Sequence, residues 1–335
     1  MGQKILLTGG AGYIGAHTYI ALHKAGFSPV ILDNFSNADR ETPAHLGQIT
    51  GQAVSIIDAN ILNKDAIDAA FTEHKFDAVV HFAAKKAVGE SMLLPLAYIE
   101  NNTVGLVNLL GAMESHGTKS IVFSSSATVY GDPEVVPILE SAPLSFANPY
   151  GFTKLIGEQI LGQLGAVHTD WNVGILRYFN PVGAHDSGLL RQSPRKSKQP
   201  PENLMPRLLQ AARGDVEYLT VFGDDYDTPD GTGVRDYIHV SDLARGHVLS
   251  LKALLEGRRG HLVNVGTGQG YSVLDLINTF QNVTGRKVPY KIKPRRAGDV
   301  ATLLADVSKA EHVLGFKAEF DLAQMCRSSV IGVLN

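Results

Sequence analysis

The chain is almost devoid of cysteine. Cys326 is the only one among 335 residues, so an intrachain disulfide is excluded. A reducing compartment is therefore expected, and the cytoplasm is the simplest one. The sequence also lacks the run of about 20 apolar residues that a membrane-spanning helix needs. Its first residues do not form the charged and then apolar segment of a secretory signal. Together these absences predict a soluble cytoplasmic protein.

The chain also lacks a strong excess of charge of either sign. Its formal net charge is -3, from 30 basic and 33 acidic residues, and the lysines and arginines are scattered. This distribution differs from the basic surface of a nucleic-acid-binding protein and from the polybasic segment of a membrane-binding one. We therefore predict no nucleic-acid or membrane partner, and no metal site. With 44% apolar residues, the chain can form one large α/β domain and a smaller one.

Glycine, by contrast, is concentrated near the start of the chain. An apolar segment of strand length, Lys4–Thr8, is followed by Gly9, Gly12 and Gly15, and a helical pattern begins at Ala16. Glycines let a backbone turn approach a pyrophosphate closely, and the helix N-terminus offers unpaired N–H groups and a partial positive charge. This order of strand, turn and helix predicts a dinucleotide-binding site.

The second apolar strand, which contains Val30, Ile31 and Leu32, ends at Asp33. A carboxylate at this place can accept both ribose hydroxyls of an adenosine, and it would repel the 2′-phosphate of NADP. The pattern therefore favours NAD as the cofactor. The alternative is a strand–helix–strand unit that binds nothing.

Further strands and helices alternate along the first half of the chain. Strands are predicted at 54–57, 77–84, 120–123 and 173–178, and their apolar character is typical of parallel strands that are buried on both faces. We predict an α/β fold with a Rossmann-type doubly wound parallel sheet. Residues 1–180 would form this NAD-binding domain, with 236–265 returning to it, and 181–335 would form mainly a smaller C-terminal α/β lobe that binds the substrate.

Hydroxyl side chains follow the fifth predicted strand, at Ser124, Ser125, Ser126 and Thr128. Open α/β sheets place their ligands at the carboxyl ends of the strands, so this segment is a candidate for substrate contact. A serine-rich loop with a purely structural role is the alternative.

A tyrosine and a lysine at helical spacing provide the candidate catalytic pair. Tyr150 and Lys154 are i and i+4 neighbours at the start of a predicted helix, so they share one face. A phenol with a pKa near 10 is a poor base at neutral pH, but a nearby ammonium and a positively charged nicotinamide stabilise the phenolate. We therefore predict a lowered Tyr150 pKa and a role as general base.

These features resemble the extended short-chain dehydrogenase/reductase superfamily, and within it the UDP-glucose 4-epimerase family. The resemblance extends to about Met325. It is carried by the glycine turn and by four further segments: 86–91, 124–131, 177–185 and 231–240. It implies NAD as cofactor, a UDP-sugar as substrate, and a homodimer formed by helices at about 95–113 and 155–164.

The resemblance also implies the residues of the site. Ser126, with Thr128 near it, would bind the sugar O4, and Tyr150 and Lys154 would be catalytic. The cofactor would be held by Gly9, Gly12, Tyr13, Ile14, Gly15, Asp33, Asn34, Asn37, Asn60, Ile61, Phe82, Ala83, Lys86, Asn101, Ser124, Tyr150, Lys154 and Phe179. The UDP-sugar would be held by Ser126, Tyr150, Asn180, Asn203, Leu204, Val221, Phe222, Arg235, Arg296, Asp299 and Leu303. Arg235 and Arg296 are the planar, charged groups that suit a diphosphate.

Several residues depart from the family pattern. Asn60 replaces an aspartate near the adenine, and Lys85 adds a positive charge beside Lys86. The segment 189–202 is longer and more basic than usual, and we interpret it either as a flap over an anionic substrate or as a solvated surface loop. Leu303 is intermediate between a bulky aromatic residue, which would exclude N-acetylated sugars, and a small one, which would admit them. Specificity for N-acetylated sugars is therefore left open.

The resemblance implies the interconversion of UDP-glucose and UDP-galactose by oxidation at C4, rotation of the 4-keto sugar and reduction of its other face. A nucleotide-sugar 4,6-dehydratase would share the fold, but it needs an acid and a base where this chain has Ala127 and Thr128. A non-catalytic NAD-sensing protein is the second alternative. Such a protein would have no reason to keep Tyr150, Lys154 and Ser126 together.

Overall fold

The computed structural model describes residues 2–192, 203–257, 260–296 and 298–333. A seven-stranded parallel sheet forms its larger part, in the order β10-β6-β5-β4-β1-β2-β3. Its strands are β1 (Lys4–Thr8), β2 (Ser28–Asp33), β3 (Ser55–Asp58), β4 (Ala78–His81), β5 (Ser120–Ser124), β6 (Asn172–Tyr178) and β10 (His261–Val265).

Helices cover both faces of this sheet. They are α1 (Tyr13–Lys24), α2 (Thr42–Thr50), α3 (Lys64–His74), α4 (Val88–Leu93), α5 (Pro95–Ile99), α6 (Gly105–Ser115), α7 (Pro149–Val167), α9 (Val240–Leu255) and α11 (Ser308–Leu314). Successive side chains of a strand point to opposite faces. Accordingly Ile5 and Leu7 of β1 pack in one apolar core with α1 and α9, whereas Leu6 packs in a second core with α3 and α6. The predicted doubly wound parallel sheet is confirmed.

A smaller lobe is built from short strands and the remaining helices. Its sheet has the order β11-β9-β13, with β7 paired to β9, and a separate two-stranded sheet joins β12 to β8. These elements are β7 (Asn180–Val182), β8 (Leu219–Phe222), β9 (Val234–His239), β11 (Gly270–Ser272), β12 (Tyr290–Lys293), β13 (Thr302–Leu303), α8 (Leu204–Arg213), α10 (Val273–Thr284) and α12 (Leu322–Val330). The lobe has a core of its own around Leu208, Tyr237 and Phe280.

The chain crosses between the two parts near the predicted return point. β9 lies in the smaller sheet, and the following helix α9 packs against α1, so that β10 can join the edge of the large sheet beside β6. The division at residue 180, with 236–265 returning to the first domain, stays a prediction. The structure places α9 and β10 with the large sheet, whereas β9 lies in the smaller one.

The helix expected at about 95–113 is not continuous. A π-helical turn, Glu100–Val104, separates α5 from α6. A π turn inserts an extra residue into a helix and rotates the side chains that follow it. Asn101 and Asn102 lie within this turn, where Asn101 lines the cavity described below and Asn102 is buried. Among the described residues, no helix combines the length and the apolar character needed to cross a membrane. The cytoplasmic location stays a prediction.

Candidate active site

The glycine turn after β1 is shaped by backbone contacts. Gly9 has φ +70°, and a Cβ at that position would lie 2.7 Å from the Ala83 nitrogen. A Cβ on Gly15 would lie 2.6 Å from the Gly9 oxygen, so both positions exclude side chains. Gly12 is the N-cap of α1 and provides no side-chain cap. The N–H groups at the start of α1 therefore keep their capacity to bind an anion.

Asp33 lies at the carboxyl end of β2, beside this turn. Its Oδ2 accepts a hydrogen bond from the Ala11 N–H at 3.1 Å, and its Oδ1 accepts one from the Phe35 N–H at 2.9 Å. Burial raises the pKa of Asp33, while these two N–H groups act in the opposite direction. Each carboxylate oxygen has lone pairs beyond the one used here. The fixed carboxylate can therefore accept two ribose hydroxyls.

A cavity runs from this turn to the predicted catalytic pair. Most of the predicted cofactor residues line it. They are Gly9, Gly12, Tyr13, Ile14, Gly15, Asp33, Asn34, Asn37, Ile61, Phe82, Ala83, Lys86, Asn101, Tyr150 and Lys154. The lining joins the carboxyl ends of β1, β2 and β4 to the start of α7, as expected of a ligand site in an open α/β sheet.

Three predicted cofactor residues lie outside this lining. Asn60 is exposed, and its Oδ1 already accepts a hydrogen bond from the Leu62 N–H at 2.9 Å. Ser124 is buried, and its hydroxyl contacts Tyr178. Phe179 is buried in an apolar cluster. The Asn60 oxygen accepts one hydrogen bond within its own loop, and its second lone pair and its amide N–H groups remain available to a ligand.

The predicted catalytic residues converge where β5 meets α7. Tyr150 and Lys154 are both buried, and the Lys154 Nζ lies 6.0 Å from the centroid of the Tyr150 ring. Ser126 makes a side-chain hydrogen bond with Tyr150. The Thr128 hydroxyl is buried and has no hydrogen-bond partner in the described part of the chain. The structure thus places the Tyr150 phenol and the Lys154 ammonium on the cavity wall, with the Ser126 side chain bonded to Tyr150, whereas Ser126 and Thr128 are not part of the cavity lining.

The prediction of a lowered Tyr150 pKa includes the positive charge of a bound nicotinamide, and in the chain by itself the Tyr150 pKa is raised. Burial raises the Tyr150 pKa, and the hydrogen bond from Ser126 lowers it by less. The Lys154 ammonium donates a 2.6 Å hydrogen bond to the Ser124 carbonyl, and burial lowers its own pKa to about 8. A buried phenol becomes a base only when nearby positive charge compensates for desolvation. Lys154 supplies one such charge below pH 8.

The predicted substrate residues form two groups in the smaller lobe. In the first, Arg296 makes two hydrogen bonds to Asp299, at 2.9 and 3.1 Å, and its guanidinium lies 5.6 Å from the centroid of the Phe222 ring. In the second, Leu303 is the register partner of Arg235 where β13 pairs with β9. An aromatic ring beside a guanidinium suits a planar base next to a phosphate.

Other predicted substrate residues have different surroundings. Asn180 pairs with Tyr237 where β7 meets β9, and Asn203 is exposed at the N-terminus of α8 and lines the cavity. Val221 is buried in the core of the smaller lobe, and Leu204 packs against that core. Of the basic segment 189–202, only 189–192 are described. Arg191 donates hydrogen bonds to the Gly188 and Gly332 carbonyls, whereas the interpretation of 193–202 concerns residues outside the described part.

Asn102 was not among the residues predicted to form the site. Its Oδ1 accepts a hydrogen bond from the Lys85 N–H at 2.7 Å, and its Nδ2 donates to the Lys85 carbonyl and to Thr153 on α7. Asn102 therefore ties the segment after β4 to the catalytic helix. The pair of adjacent asparagines was visible in the sequence, but the π turn that directs both inward was not. The cavity lining also includes Lys85 and Tyr178, which were not predicted to contact the cofactor.

Comparisons with known proteins agree with this arrangement. Residues 5–266 match the model of the NAD dependent epimerase/dehydratase family. The chain is 50% identical to UDP-glucose 4-epimerase of Bacillus subtilis, over 98% of this chain and 96% of the relative.

Two solved structures of UDP-glucose 4-epimerases are similar over 98% of the chain. The one from Stenotrophomonas maltophila, with bound NAD and formylated UDP-arabinopyranose, has a TM-score of 0.95, 49% identity and 96% of its chain covered. The one from Bifidobacterium longum, in complex with NAD+ and UDP, has a TM-score of 0.92, 45% identity and 98% of its chain covered. The chain therefore belongs to the NAD dependent epimerase/dehydratase family.

Proposed function

We propose that this protein is an NAD-dependent enzyme that interconverts UDP-glucose and UDP-galactose at C4 of the sugar. The observation that carries this function is the cluster of Tyr150, Lys154 and Ser126 at one end of the dinucleotide cavity. The relatives described above carry the same activity in their names and align over nearly the whole chain.

The residues of the first part fit NAD. The close-packed turn at Gly9 and Gly15 leaves no side chain between the backbone and a pyrophosphate, and the Asp33 carboxylate is fixed where an adenosine ribose would lie. When bound, NAD supplies a reversible acceptor for the hydride of sugar C4. Asp33 disfavours the 2′-phosphate of NADP, because two negative charges would meet in a partly buried site.

The chain contributes proton transfer and orientation. Tyr150, as phenolate, removes the proton of the sugar 4-hydroxyl when C4 is oxidised, and returns it when the ketone is reduced. Lys154 favours the phenolate through its positive charge. Ser126, which hydrogen-bonds Tyr150, also orients O4 of the sugar.

The smaller lobe anchors the UDP group while the sugar changes its orientation. Phe222 stacks on the uracil, and Arg235 and Arg296 bind the diphosphate. A keto sugar without its own fixed contacts can rotate about the bonds to the anchored diphosphate and present its opposite face. Reduction of the ketone on that face would invert C4.

One residue pair separates this function from the dehydratase alternative. Dehydration across C5 and C6 needs a proton donor and a base next to the sugar. The two residues after Ser126 are Ala127, which is buried in an apolar cluster, and Thr128. Neither side chain can exchange a proton near neutral pH, so elimination of water is not supported.

The test is a product assay on the purified protein with four UDP-sugars: glucose, galactose and their N-acetylated forms. We expect conversion between UDP-glucose and UDP-galactose without added cofactor, and we expect NAD to be released on denaturation. Protein that carries no nicotinamide and still converts UDP-galactose would contradict the function. A product lacking the 6-hydroxyl would favour the dehydratase.

The chain is also expected to form a homodimer through α5, α6 and α7. Leu93 and Leu96, just before and within α5, are 70% and 79% exposed, and Val107 of α6 and Val167 of α7 are also exposed. Between α6 and α7 lies an apolar groove that contains Leu164. Exposed apolar helix faces of this kind are typical of helix-to-helix association.

Sedimentation velocity at micromolar concentration tests the dimer. The wild-type chain should sediment with about twice its monomer mass of 36.0 kDa, whereas V107E should shift the population toward monomer. The exposed Ile56 of β3 lies on the large sheet, outside these helices. The control I56E should therefore leave the mass unchanged. A wild-type chain that sediments as a monomer would contradict this proposal.

A further inference from the structure

Two turns beyond Tyr150, α7 buries a carboxylate that the mechanism above does not use. Tyr150, Lys154 and Glu158 follow one another at four-residue spacing, so they lie along one face of the helix. Glu158 is 6% exposed, and its partner Arg177 on β6 is 2% exposed. The Arg177 Nη2 lies 2.6 Å from the Glu158 Oε2, and its Nε lies 2.9 Å from the Oε1. A charged pair this deeply buried is costly unless its hydrogen bonds are complete.

The hydrogen bonds of the pair extend to other elements. The remaining Arg177 nitrogen, Nη1, donates to the Tyr130 hydroxyl and to the Glu140 carbonyl, each at 3.1 Å. The Tyr130 hydroxyl donates in turn to the Asn264 Oδ1 on β10, at 2.6 Å. The ion pair is thus held by partners on several segments, and α7 is fixed relative to the sheet at this point.

The same carboxylate holds the serine segment. The Ser125 hydroxyl donates a short hydrogen bond to the Glu158 Oε1. The Ser125 N–H also donates to the Leu176 carbonyl on β6, at 2.9 Å. Ser125 lies between Ser124, whose carbonyl accepts the Lys154 ammonium, and Ser126, which hydrogen-bonds Tyr150. Fixing the middle serine therefore fixes both of the groups that touch the catalytic pair.

Glu158 is also the acidic group that acts on Lys154. Its negative charge raises the Lys154 pKa against the larger lowering by burial. The other titratable groups that face this lysine carry no positive charge near neutral pH. Burial lowers the pKa of His81 on β4 to about 3 and that of His247 on α9 to about 4, and Tyr150 itself is a buried phenol with a raised pKa.

We propose that Glu158, in its ion pair with Arg177, is a positioning residue that holds the 124–126 segment against Tyr150 and keeps Lys154 protonated at neutral pH. This inference rests on the proposed epimerase function. The buried ion pair would then have two effects that can be measured separately. One is on the position of the 124–126 segment, through Ser125, and the other is on the charge of Lys154.

The charge effect is tested with E158Q. Removing the negative charge leaves Lys154 with the effect of burial and leaves the positive charge of Arg177 without its counter-ion. Both changes lower the Lys154 pKa, so the alkaline limb of the kcat profile should move down by roughly one pH unit or more. The direct readout is the titration of the Lys154 side chain by NMR on protein labelled with 13C at lysine Cε, with the K154R variant used to assign the signal. E158D, which keeps the charge, should retain the wild-type titration.

The geometric effect is tested with S125A. This variant removes the hydroxyl that Glu158 holds and leaves the ion pair intact. Turnover should fall by about tenfold, as expected for the loss of one charge-assisted hydrogen bond, while the lysine titration and the bound NAD stay unchanged. If E158Q does not fold, S125A still tests whether Glu158 acts through the serine segment, because S125A alters no charge.

Opposite results would overturn the inference. If E158Q lowers turnover but moves neither the pH limb nor the lysine titration, the ion pair has a purely structural role. If S125A has wild-type turnover, Glu158 does not act through the serine segment. A wild-type protein without UDP-galactose conversion would instead remove the proposed function, and the lysine titration would still measure the coupling of Glu158 to Lys154.

Discussion

The two halves of the site are built differently. The dinucleotide half is formed largely by backbone: the glycine turn, the start of α1, and Asp33, which two main-chain N–H groups hold. The proposed substrate half is formed by side chains on separate elements, such as Arg296 beside Phe222 and Leu303 beside Arg235. Arg296 is about half exposed and bonds Asp299. The first half is rigid and specified locally, whereas the second is assembled from distant segments.

This difference suggests how the two halves should respond to substitution. The closely packed backbone of the glycine turn has little space for a further atom, so a single added carbon should strongly weaken NAD binding. A site made of partly exposed side chains should lose less substrate affinity with each substitution, because each residue contributes one contact. The proposed catalytic pair lines the dinucleotide cavity, and its loss should exceed either effect.

The largest effect is expected from Y150F. Removing the general base should lower kcat by about 1,000-fold, since proton transfer by a positioned side chain contributes this order of rate. Bound NAD should remain, because the aromatic ring stays in the cavity wall. Turnover of UDP-galactose and the NAD released on denaturation are the measurements.

A matched control for Y150F is Y178F. Tyr178 is a second phenol on the cavity lining, and its hydroxyl contacts Ser124. Its loss should cost less than about tenfold, as for one neutral hydrogen bond. Equal losses in the two variants would show that Tyr150 has no special role.

The next largest effect is expected from G15A, on the backbone half. The new Cβ would lie 2.6 Å from the Gly9 oxygen, so the turn must shift, and NAD affinity should fall by roughly 10- to 100-fold. Titration of the stripped protein with NAD measures this.

The control for G15A is G162A in α7, where a Cβ meets no atom within 4 Å. That variant should bind NAD normally and gain about 0.5–1 kcal/mol in its free energy of unfolding, because alanine favours a helix. Normal NAD binding by G15A would mean that the glycine turn can shift to accommodate a Cβ at this position, despite the short contacts around it.

On the side-chain half, R296A should raise the KM for UDP-galactose by roughly 10-fold while NAD content stays constant, because one charged contact to the diphosphate is lost. The neighbouring R295A is the control. Arg295 pairs with Asp225 and stacks on Tyr226, so its loss should change KM by about twofold or less, as for a surface ion pair. If both variants raise KM equally, the effect is general surface charge rather than a specific contact.

The last effect, on substrate specificity rather than on overall rate, is expected at Leu303, which packs near Ala127 and Phe179. L303Y should lower the kcat/KM for N-acetylated sugars relative to UDP-galactose by roughly 10-fold, and L303G should raise it, since pocket size discriminates by this order. Competition between the two substrates in one reaction measures the ratio. Identical ratios in all three proteins would place the C2 substituent elsewhere.

Much of the large sheet could be predicted from the sequence because its signals are local. The apolar segments that became β1, β2 and β5 stand between glycine-rich turns and helical patterns, and they lie in the sheet as expected. The short strands of the smaller lobe were largely missed. β7 and β13 contain three and two residues, too few to show a period, and their pairing joins segments far apart in the chain.

Two aspects of the site could not be predicted from the sequence. The prediction of a lowered Tyr150 pKa rests on two positive charges, those of Lys154 and the nicotinamide, and it leaves out burial, which depends on the whole fold and has the largest effect on this pKa in the chain by itself. The role of Asn102 depends on the π turn at Glu100–Val104. Both depend on packing that no short window of sequence contains.

The sequence by itself determined the order of strands and helices in the large sheet, the glycine turn with Asp33, and the Tyr150/Lys154 pair, because each is specified by residues a few positions apart. Only the tertiary structure decided which groups are brought together: Glu158 with Arg177, Arg235 with Leu303, and Ser125 between the catalytic contacts. Proximity of distant segments and exclusion of water arise when the whole chain packs, and these two conditions set the charge and position of the catalytic groups.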